Sequence, residues 1–255
     1  MDSQIIHRNK YKIGYSDVDF KKELKLSSLF GLFQDTAGVA AEKLGAGVVA
    51  LAEEFSVAWI LTRIKVRIDR TPALDEEVTV ETWPHRPGRL EFERDYLVRD
   101  AGGNAIIRAV SNWALMDINT RELRRADLIH IDYPTFIDEH ALDSKPGRLK
   151  PSGQLEEVYR KVIGYSDVDF NGHINNTRHI DYTMDCFPVE SHKRYRVMTI
   201  EVNYIKEAFP GDTLIMYRDI SAMESNRVYI EGVSEDDGKT VFRAQVEVNC
   251  LNIAK

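Results

Sequence analysis

Hydrophobic and polar residues follow the same order of patterns twice along the chain. Each half opens with a polar-apolar strand pattern, continues with one segment of helical spacing, and then becomes a run of strands separated by turn signals. The strand segments are 55–69, 76–84, 90–100 and 104–117 in the first half, and 196–208, 212–220, 226–235 and 239–252 in the second. The pattern predicts a helix followed by a meander of strands, in each half.

The helical segments have identifiable ends. In the first, the apolar face consists of Leu29, Leu32, Phe33, Thr36, Ala37 and Ala40, and Gly45 stands where a helix stop belongs. In the second, Ile174, Ile180, Tyr182, Met184 and Cys186 are compatible with a helix that ends before Pro188. One helix with several long strands indicates a sheet wrapped around a central helix.

The last strand shows the clearest alternation. Its apolar face is predicted to be Phe242, Ala244, Val246, Val248 and Cys250, and its polar face Arg243, Gln245, Glu247 and Asn249. Antiparallel strands with one face on the core look like this.

The phrase IGYSDVDF occurs twice, at 13–20 and at 163–170. Because the copies lie more than half the chain apart, they indicate a duplicated domain and not a short repeat. Between the halves, HALDSKPGRLKPSGQ at 140–154 carries two prolines and two glycines, typical of a surface linker. The predicted domains are therefore 1–139 and 155–255.

The composition argues against nucleic-acid-binding, membrane-spanning and secreted proteins. Of the 255 residues 43% are hydrophobic and 29% charged, typical of a soluble globular protein, and a net charge of −7 argues against general nucleic-acid binding. No apolar run approaches the roughly 20 residues of a membrane span, and the start lacks a secretory h-region. With only two cysteines, the chain is expected in the reducing cytoplasm.

The chemistry-bearing residues follow the second octapeptide, in YSDVDFNGHINN. His173 can exchange protons near neutral pH, and the side-chain amide of Asn171 can donate to a developing oxyanion. Asp169 can fix either residue in position, and the start of the next helix offers free backbone N–H groups. These residues are candidates for holding a water and a carbonyl substrate together.

A structural interpretation competes, because D-x-N-G is also common turn and helix-capping chemistry. The first octapeptide decides between the two. It is followed by Lys21, Lys22 and Glu23, so a turn that needed asparagine and histidine would lack them there. We therefore interpret Asn171 and His173 as residues with a chemical and not a structural role, and this role is expected in the second half only.

Glu207 is a further candidate, at the end of a strand before a Pro-Gly turn. Alternation places it on the face of Glu201 and Asn203, the more polar side, so in a regular strand it faces solvent unless the chain bulges first. A solvated carboxylate is the default for any glutamate. Spacing alone leaves its role open.

Other motifs are absent or incomplete. There is no HExxH and no paired CxxC, so neither a metal site nor a cofactor is expected. GYSDV lacks the second glycine of a nucleophile elbow. Cys186, on an apolar helix face, is interpreted as core and not as a nucleophile.

With these residues in hand, the chain resembles the acyl-ACP thioesterases, in a compact bacterial form. The resemblance rests on AWILTRIKVRIDRTPALDEEVTVETW and ERDYLVRD in the first half, and on DVDFNGHINNTRHIDY and NYIKEAFPGD in the second. It implies an α+β fold of two tandem hotdog domains, each an antiparallel sheet wrapped around a central helix.

The resemblance also implies an activity, the hydrolysis of fatty acyl-acyl carrier protein to a free fatty acid. It assigns catalysis to Asp169, Asn171, His173 and Glu207. The resemblance thus gives a catalytic role to Glu207, which spacing alone left open. Plant members commonly carry cysteine after that glutamate, whereas this chain has Ala208. This departure favours attack by water without a covalent acyl-enzyme, and leaves open whether Glu207 or His173 is the general base.

The first half is implied to hold the acyl chain, with Trp59, Ile60, Leu61 and Phe33 as lining candidates; core packing is the alternative role for each. The expected partner, acyl carrier protein, is acidic and needs a basic docking patch. Two patches qualify, Arg121, Arg124 and Arg125, or Lys145, Arg148 and Lys150. Both a monomer and a homodimer remain open.

Three rival functions use the same fold. An acyl-CoA thioesterase would use the same hydrolytic residues. A hotdog hydratase or dehydratase would leave Asn171 and Glu207 without a task. A lipid-binding or acyl-carrier-binding module would need none of the four polar residues.

Overall fold

The computed structural model describes residues 5–131, 133 and 135–250, with the backbone alone for Cys250. The chain divides into two compact units, Met1–Pro146 and Gly147–Lys255. This division falls inside the segment 140–154 that the sequence predicts as a linker. Residues 1–4 and 251–255, which the predicted domain bounds include, lie outside the described residues.

Five long strands form an antiparallel sheet in the first unit. They are β1 (His7–Lys12), β2 (Val57–Ile68), β3 (Glu77–Pro84), β4 (Phe92–Arg99) and β5 (Ala105–Asp117), and the short β6 (Leu123–Arg124) pairs with β5. Within this unit their order is β1-β3-β4-β5-β2. The four strand segments predicted in the first half are thus β2 to β5.

The second unit repeats this topology. Its strands are β7 (Glu156–Val162), β8 (Tyr195–Tyr204), β9 (Thr213–Asp219), β10 (Arg227–Ser234) and β11 (Thr240–Cys250), in the order β8-β11-β10-β9-β7. On β11, Phe242, Ala244, Val246 and Val248 are buried, as the alternation predicts. The side chain of Cys250, predicted for the same face, lies outside the described residues.

In the described part of the chain, four α-helices accompany the strands, namely α1 (Leu26–Lys43), α2 (Val48–Phe55), α3 (Asn176–Asp185) and α4 (Val189–Arg194). The central helix of each unit packs against that unit's own sheet. In the first, the ring of Phe33 lies 4.7 Å from that of Tyr96; in the second, His179 lies 4.7 Å from Phe242. None of the described helices is long and apolar enough to cross a bilayer.

The same backbone hydrogen bonds recur in both units and establish which residues correspond. The amide-to-carbonyl pairs are Ile13–Glu76 and Ile163–Asp212 at 2.9 Å, and Leu24–Pro72 and Ile174–Ala208 at 2.8 and 3.0 Å. The residues just before the last two acceptors, Thr71 and Glu207, therefore occupy corresponding positions.

The segment predicted as a linker is held by buried polar side chains. In the first unit, Asp95 accepts a hydrogen bond from Ala141 N at 2.6 Å. In the second, Asp219 accepts from Ser152 N and Gly153 N at 2.7 and 2.6 Å. A buried carboxylate is satisfied by such backbone donors, so the segment is fixed along each unit.

Candidate active site

The repeated octapeptide builds the same turn in both units. The carboxylate of Asp17 accepts from Gly14 N at 2.9 Å, and that of Asp167 accepts from Gly164 N at 2.8 Å. Each bond closes a single turn of 3-10 helix. The first aspartate of the DVD phrase is therefore structural, which explains why both copies keep it.

The second aspartate of the phrase organises the chain that follows. Asp19 accepts from Lys21 N at 2.8 Å, and Asp169 accepts from Asn171 N at 2.8 Å. Side-chain acceptors of this kind stabilise turns by replacing a backbone partner. The bond is the same in both units, although the donor's side chain differs.

The next residue takes a left-handed conformation in both turns. Gly172 has φ of 80°, and Lys22 has φ of 62°. Glycine adopts this conformation without strain, whereas a side chain there costs about 1 kcal/mol. The turn therefore forms with either residue, and its backbone does not require the NGH sequence.

Asn171 is exposed at this turn, and Asp169 holds it at two points. Besides the backbone bond, its side-chain Nδ2 donates to Asp169 Oδ2 at 3.4 Å. This contact uses one of the two amide hydrogens and leaves the other to a substrate oxygen. The role of Asp169 in orienting this amide for catalysis stays a prediction.

His173 and Glu207 meet beside the turn. His173 Nε2 lies 3.4 Å from Glu207 Oε1, and the two side chains are 24% and 28% exposed. Both groups are thus partly shielded yet reachable by water. The ring of Phe209 stands edge-on to the His173 ring at 6.3 Å, a contact that the sequence analysis did not anticipate.

A strand irregularity brings Glu207 to this position. The amides of Ile205 and Lys206 both donate to Val241 O, at 2.9 and 3.0 Å, just after β8 ends. Two successive donors on one carbonyl interrupt the alternation, as a bulge does. Strand parity therefore does not extend to Glu207.

The expectation that the side of β8 with Glu201 and Asn203 faces solvent is wrong. Glu201 and Asn203 are 8% and 5% exposed, and they accept from Gly147 N at 2.5 Å and Leu149 N at 3.0 Å. A segment covering this face buries its polar residues against backbone donors. Polarity here reflects that covering segment and not contact with water.

Helix α3 begins directly after the site. Asn175 caps it by accepting from Thr177 N at 2.9 Å. One turn into the helix, His179 is fully enclosed between aromatic rings, and burial lowers its pKa to about 4. His179 is therefore neutral at physiological pH and belongs to the core of the second unit.

The residues predicted to line an acyl pocket lie in apolar parts of the first unit. Phe33 is 2% exposed, and Ile60 and Leu61 are partly buried. Trp59 donates from Nε1 to Ala46 O at 2.9 Å and packs against an apolar cluster. Their role as pocket lining stays a prediction.

Together the second turn and the end of β8 present one amide donor and one imidazole–carboxylate pair. A carboxylate in contact with an imidazole can take a proton from water, and a held amide can polarise a carbonyl. The first unit has Thr71 at the position of Glu207, and Lys21 and Glu23 at those of Asn171 and His173. Among the described residues, the second unit alone carries this donor and acid–base set at these corresponding positions.

Comparisons with known proteins bear on the family and the fold of this chain. The N-terminal domain model of the acyl-ACP thioesterases matches residues 4–129, and the C-terminal domain model matches residues 154–249. A solved structure of an acyl-ACP thioesterase from Bacteroides thetaiotaomicron is 29% identical with a TM-score of 0.83, covering 96% of this chain and 98% of that one. A 12:0-ACP thioesterase from Umbellularia californica, 20% identical, covers 97% and 98% with a TM-score of 0.80 and shows the shared fold.

Curated plant relatives are longer. The palmitoyl-acyl carrier protein thioesterase of Arabidopsis thaliana is 25% identical over 95% of this chain and 64% of its own length. The oleoyl-acyl carrier protein thioesterase of Coriandrum sativum is 26% identical over 82% of this chain and 61% of its own. The chain thus spans less than two thirds of these relatives. Two tandem hotdog domains of the α+β class, matched by both domain models, show that this chain belongs to the acyl-ACP thioesterase family.

Proposed function

We propose that this protein hydrolyses the thioester of a fatty acyl-acyl carrier protein and releases a free fatty acid. The observation that carries the proposal is the 3.4 Å contact between His173 Nε2 and Glu207 Oε1, with Asn171 two residues before His173 in the same turn. Membership of the family supports the substrate class, since relatives carry the names of palmitoyl- and oleoyl-acyl carrier protein thioesterases.

In the first step, water attacks the thioester carbonyl carbon. Glu207 takes a proton from that water. His173, which contacts the Glu207 carboxylate, orients the water and that carboxylate. A positioned general base is worth about 10²–10⁴-fold in rate. The new C–O bond converts the carbonyl oxygen into an oxyanion.

Asn171 supplies the donor for that oxyanion. Its amide is held by Asp169 in the ground state, so it needs no reorganisation when negative charge develops on the substrate oxygen. Losing one such donor costs on the order of 3 kcal/mol of transition-state stabilisation. Asp169 acts through Asn171 and is a positioning residue.

In the second step, the oxyanion collapses and the C–S bond breaks. The departing thiolate receives the proton that the Glu207–His173 pair took from water, so the pair returns to its starting state. The products are the fatty acid and the free thiol of the carrier. No covalent bond to the protein forms.

Attack by water agrees with the presence of Ala208 beside Glu207 and with the burial of Cys186. Ala208 stands where plant members commonly have cysteine, and it is 2% exposed. Cys186 is 1% exposed, and burial raises the pKa of its thiol to about 12. A buried thiol that stays protonated is a poor nucleophile.

The fatty chain is proposed to enter the first unit, along Trp59, Ile60, Leu61 and Phe33. For carrier docking, we propose the arginines near β6, one of the two predicted patches. Arg124 and Arg125 form ion pairs with Asp117 and Asp127 at 2.9 and 2.7 Å, yet their side chains remain about half exposed. Exposed, partly paired arginines can exchange an internal carboxylate for one of an acidic partner.

The test is steady-state hydrolysis of matched acyl-ACP and acyl-CoA panels. Asn171→Ala, His173→Ala and Glu207→Gln are compared with matched changes in the first unit, Lys21→Ala, Glu23→Ala and Thr71→Ala. The proposal predicts turnover of acyl-ACP that falls at least about 10²-fold in the first three and stays unchanged in the controls.

Two outcomes contradict the proposal. If acyl-CoA were turned over faster than acyl-ACP, the site would stand but the substrate would be acyl-CoA and not acyl-ACP. Absence of hydrolysis in the folded wild type would reject thioester hydrolysis and favour a hydratase or an acyl-binding module.

A further inference from the structure

Four potential metal ligands converge in the first unit, on the strands rather than at the turn. His85, Glu93, Asp95 and His140 each offer one ligand atom, and all four atoms lie within 4.8 Å of one another. They belong to the unit that lacks the Asn171/His173/Glu207 set. The proposed hydrolysis gives them no role.

The fold explains why these residues meet. His85 directly follows β3, and its amide donates to Glu93 O at 2.9 Å, so the pairing of β3 with β4 continues one step. Asp95 lies two residues along β4 and therefore points to the same side as Glu93. Asn112 on β5 is paired with Glu93. His140 arrives from the segment that precedes the division between the units.

The distances suit a small divalent ion. His85 Nε2 lies 3.1 Å from Asp95 Oδ2, and His140 Nδ1 lies 3.4 Å from Glu93 Oε1 and 3.6 Å from Asp95 Oδ2. Ligand atoms about 2.1 Å from a tetrahedral zinc ion are about 3.4 Å apart. Three of the separations are thus already close to those of a tetrahedral site.

Several buried atoms of this cluster lack a hydrogen-bond partner. The side chain of Asp95 is fully buried, and its Oδ1 has no partner among the described residues. Asn112 Oδ1 on the adjacent strand likewise has no partner among the described residues. His85 Nε2, in a side chain that is 10% exposed, has the 3.1 Å contact with Asp95 Oδ2, but that contact lacks hydrogen-bond geometry. Buried polar atoms without partners are rare in folded proteins and often mark an ion or water.

The surroundings would support a bound cation. Ala141 N donates to Asp95 Oδ2 at 2.6 Å, and Lys145 Nζ contacts Glu93 Oε2 at 2.7 Å, so the carboxylates are oriented by further groups. Such outer contacts fix ligand geometry in metal sites. A cavity of about 310 Å³ adjoins the cluster, and His140 is 41% exposed, which leaves a path for the ion.

We propose that His85, Glu93, Asp95 and His140 bind one divalent first-row transition-metal ion, with Zn²⁺ as the best match. Two imidazoles with two carboxylates are donors that Zn²⁺ accepts in tetrahedral geometry. The ion ties the segment around His140 to β3 and β4. The corresponding positions of the second unit hold Ser221, Arg227 and Tyr229, so the site belongs to the first unit alone.

The sequence predicts no metal site because it contains no contiguous metal-binding motif. These four residues lie on two strands and a distant segment, and only the strand pairing brings them together. The available signal is the E-x-D alternation on β4 opposite a histidine that follows β3. That signal can be used only once the pairing is known.

The test is calorimetric titration of the chelator-treated full chain with Zn²⁺, together with Co²⁺ absorption and thermal unfolding. Glu93→Gln and His140→Ala are the test variants, since one is isosteric and the other changes a partly exposed side chain. Glu91→Gln lines the same cavity without being a ligand and His7→Ala removes another histidine of the same unit, so these are the controls. His173→Ala tests binding at the catalytic pair.

We expect one Zn²⁺ per chain, a higher unfolding temperature with the ion, and affinity that falls at least about tenfold in Glu93→Gln and His140→Ala. Glu91→Gln, His7→Ala and His173→Ala should bind as the wild type does. Absence of Zn²⁺ binding, or binding unchanged in both test variants, would overturn the proposal. So would a loss in His173→Ala, which would place the ion at the catalytic pair. Thioester hydrolysis is measured separately, so either proposal can fail alone.

Discussion

The turns after the two copies of IGYSDVDF share a backbone and differ in side chains. Both have an aspartate that accepts from the residue two positions on, and both have a left-handed residue next, Lys22 in one and Gly172 in the other. One turn then presents Lys21 and Glu23, and the other presents Asn171 and His173. Side chains that take no part in the turn's shared hydrogen bonds can therefore differ between the units and can take a catalytic role in one of them.

The same division extends into the core and the sheet. His179 in α3 corresponds to Leu29 in α1, and both are buried. Conversely, the cluster around Asp95 in the first unit has no counterpart in the second. The comparison teaches that duplicated domains keep their hydrogen-bonded frame while polar groups change at sites where the frame does not need them.

The largest expected effect comes from giving the second turn the first turn's residues. Replacing 171–173 by Lys-Lys-Glu, together with Glu207→Thr, should leave the protein folded because Lys22 adopts the required conformation with φ of 62°. Thioester hydrolysis should fall at least about 10³-fold, since base and amide donor are lost together. Turnover and circular dichroism measure the two effects.

The reciprocal exchange is the control. Lys21→Asn, Lys22→Gly and Glu23→His in the first turn should leave turnover unchanged. Hydrolysis that survives the first exchange within about tenfold would show that the second turn is not the site.

The next effect concerns the buried histidine. Its pKa of about 4 lies below the ordinary value of 6.5, so below pH 6.5 the unfolded chain binds a proton that the folded chain refuses. Folding stability therefore drops as pH falls from about 6.5 to about 4, by up to about 3 kcal/mol. His179→Leu, which copies Leu29, should remove this component.

Urea unfolding of the wild type and His179→Leu, at pH 7 and pH 4.5, measures this pH-dependent part of the unfolding free energy. Leu29→His should add a similar pH dependence to the first unit. Equal loss of stability in the wild type and His179→Leu would show that this histidine is not the group responsible.

A smaller effect separates structure from chemistry at the paired aspartates. Asp19→Ala and Asp169→Ala each remove a side-chain acceptor of the turn and should each cost about 1 kcal/mol of unfolding free energy. Only Asp169→Ala should lower kcat, by roughly tenfold, because Asn171 loses its orientation. Chemical denaturation and acyl-ACP turnover are compared for both; a matching loss of kcat in Asp19→Ala would contradict the positioning role.

The smallest effect tests the left-handed residue. Gly172→Ala should destabilise the protein by about 1 kcal/mol or less, since there is open space for the methyl group and only backbone strain opposes it. Lys22→Gly should be neutral or slightly stabilising, because it relieves the same strain. Thermal unfolding of both variants suffices, and a stabilising Gly172→Ala would refute this account.

Much of the fold could be predicted from the sequence because it depends on local periodicity. The alternation of 239–252 gave the buried face of β11, and the spacing of Leu29 to Ala40 gave α1. Parity failed beyond β8, where two amides share Val241 O and Glu207 turns toward His173. A bulge depends on the partner strand, so a single strand's pattern does not contain it.

By itself, the sequence determined the duplicated order of elements, the family resemblance and the asymmetry between the two turns, because these lie in contiguous residues. Tertiary structure decided which distant groups touch. Strand pairing placed His85 beside Asp95, and the irregular end of β8 placed Glu207 beside His173. Contacts of that kind depend on register and chain direction across the sheet, and register is set by all strands of a unit together.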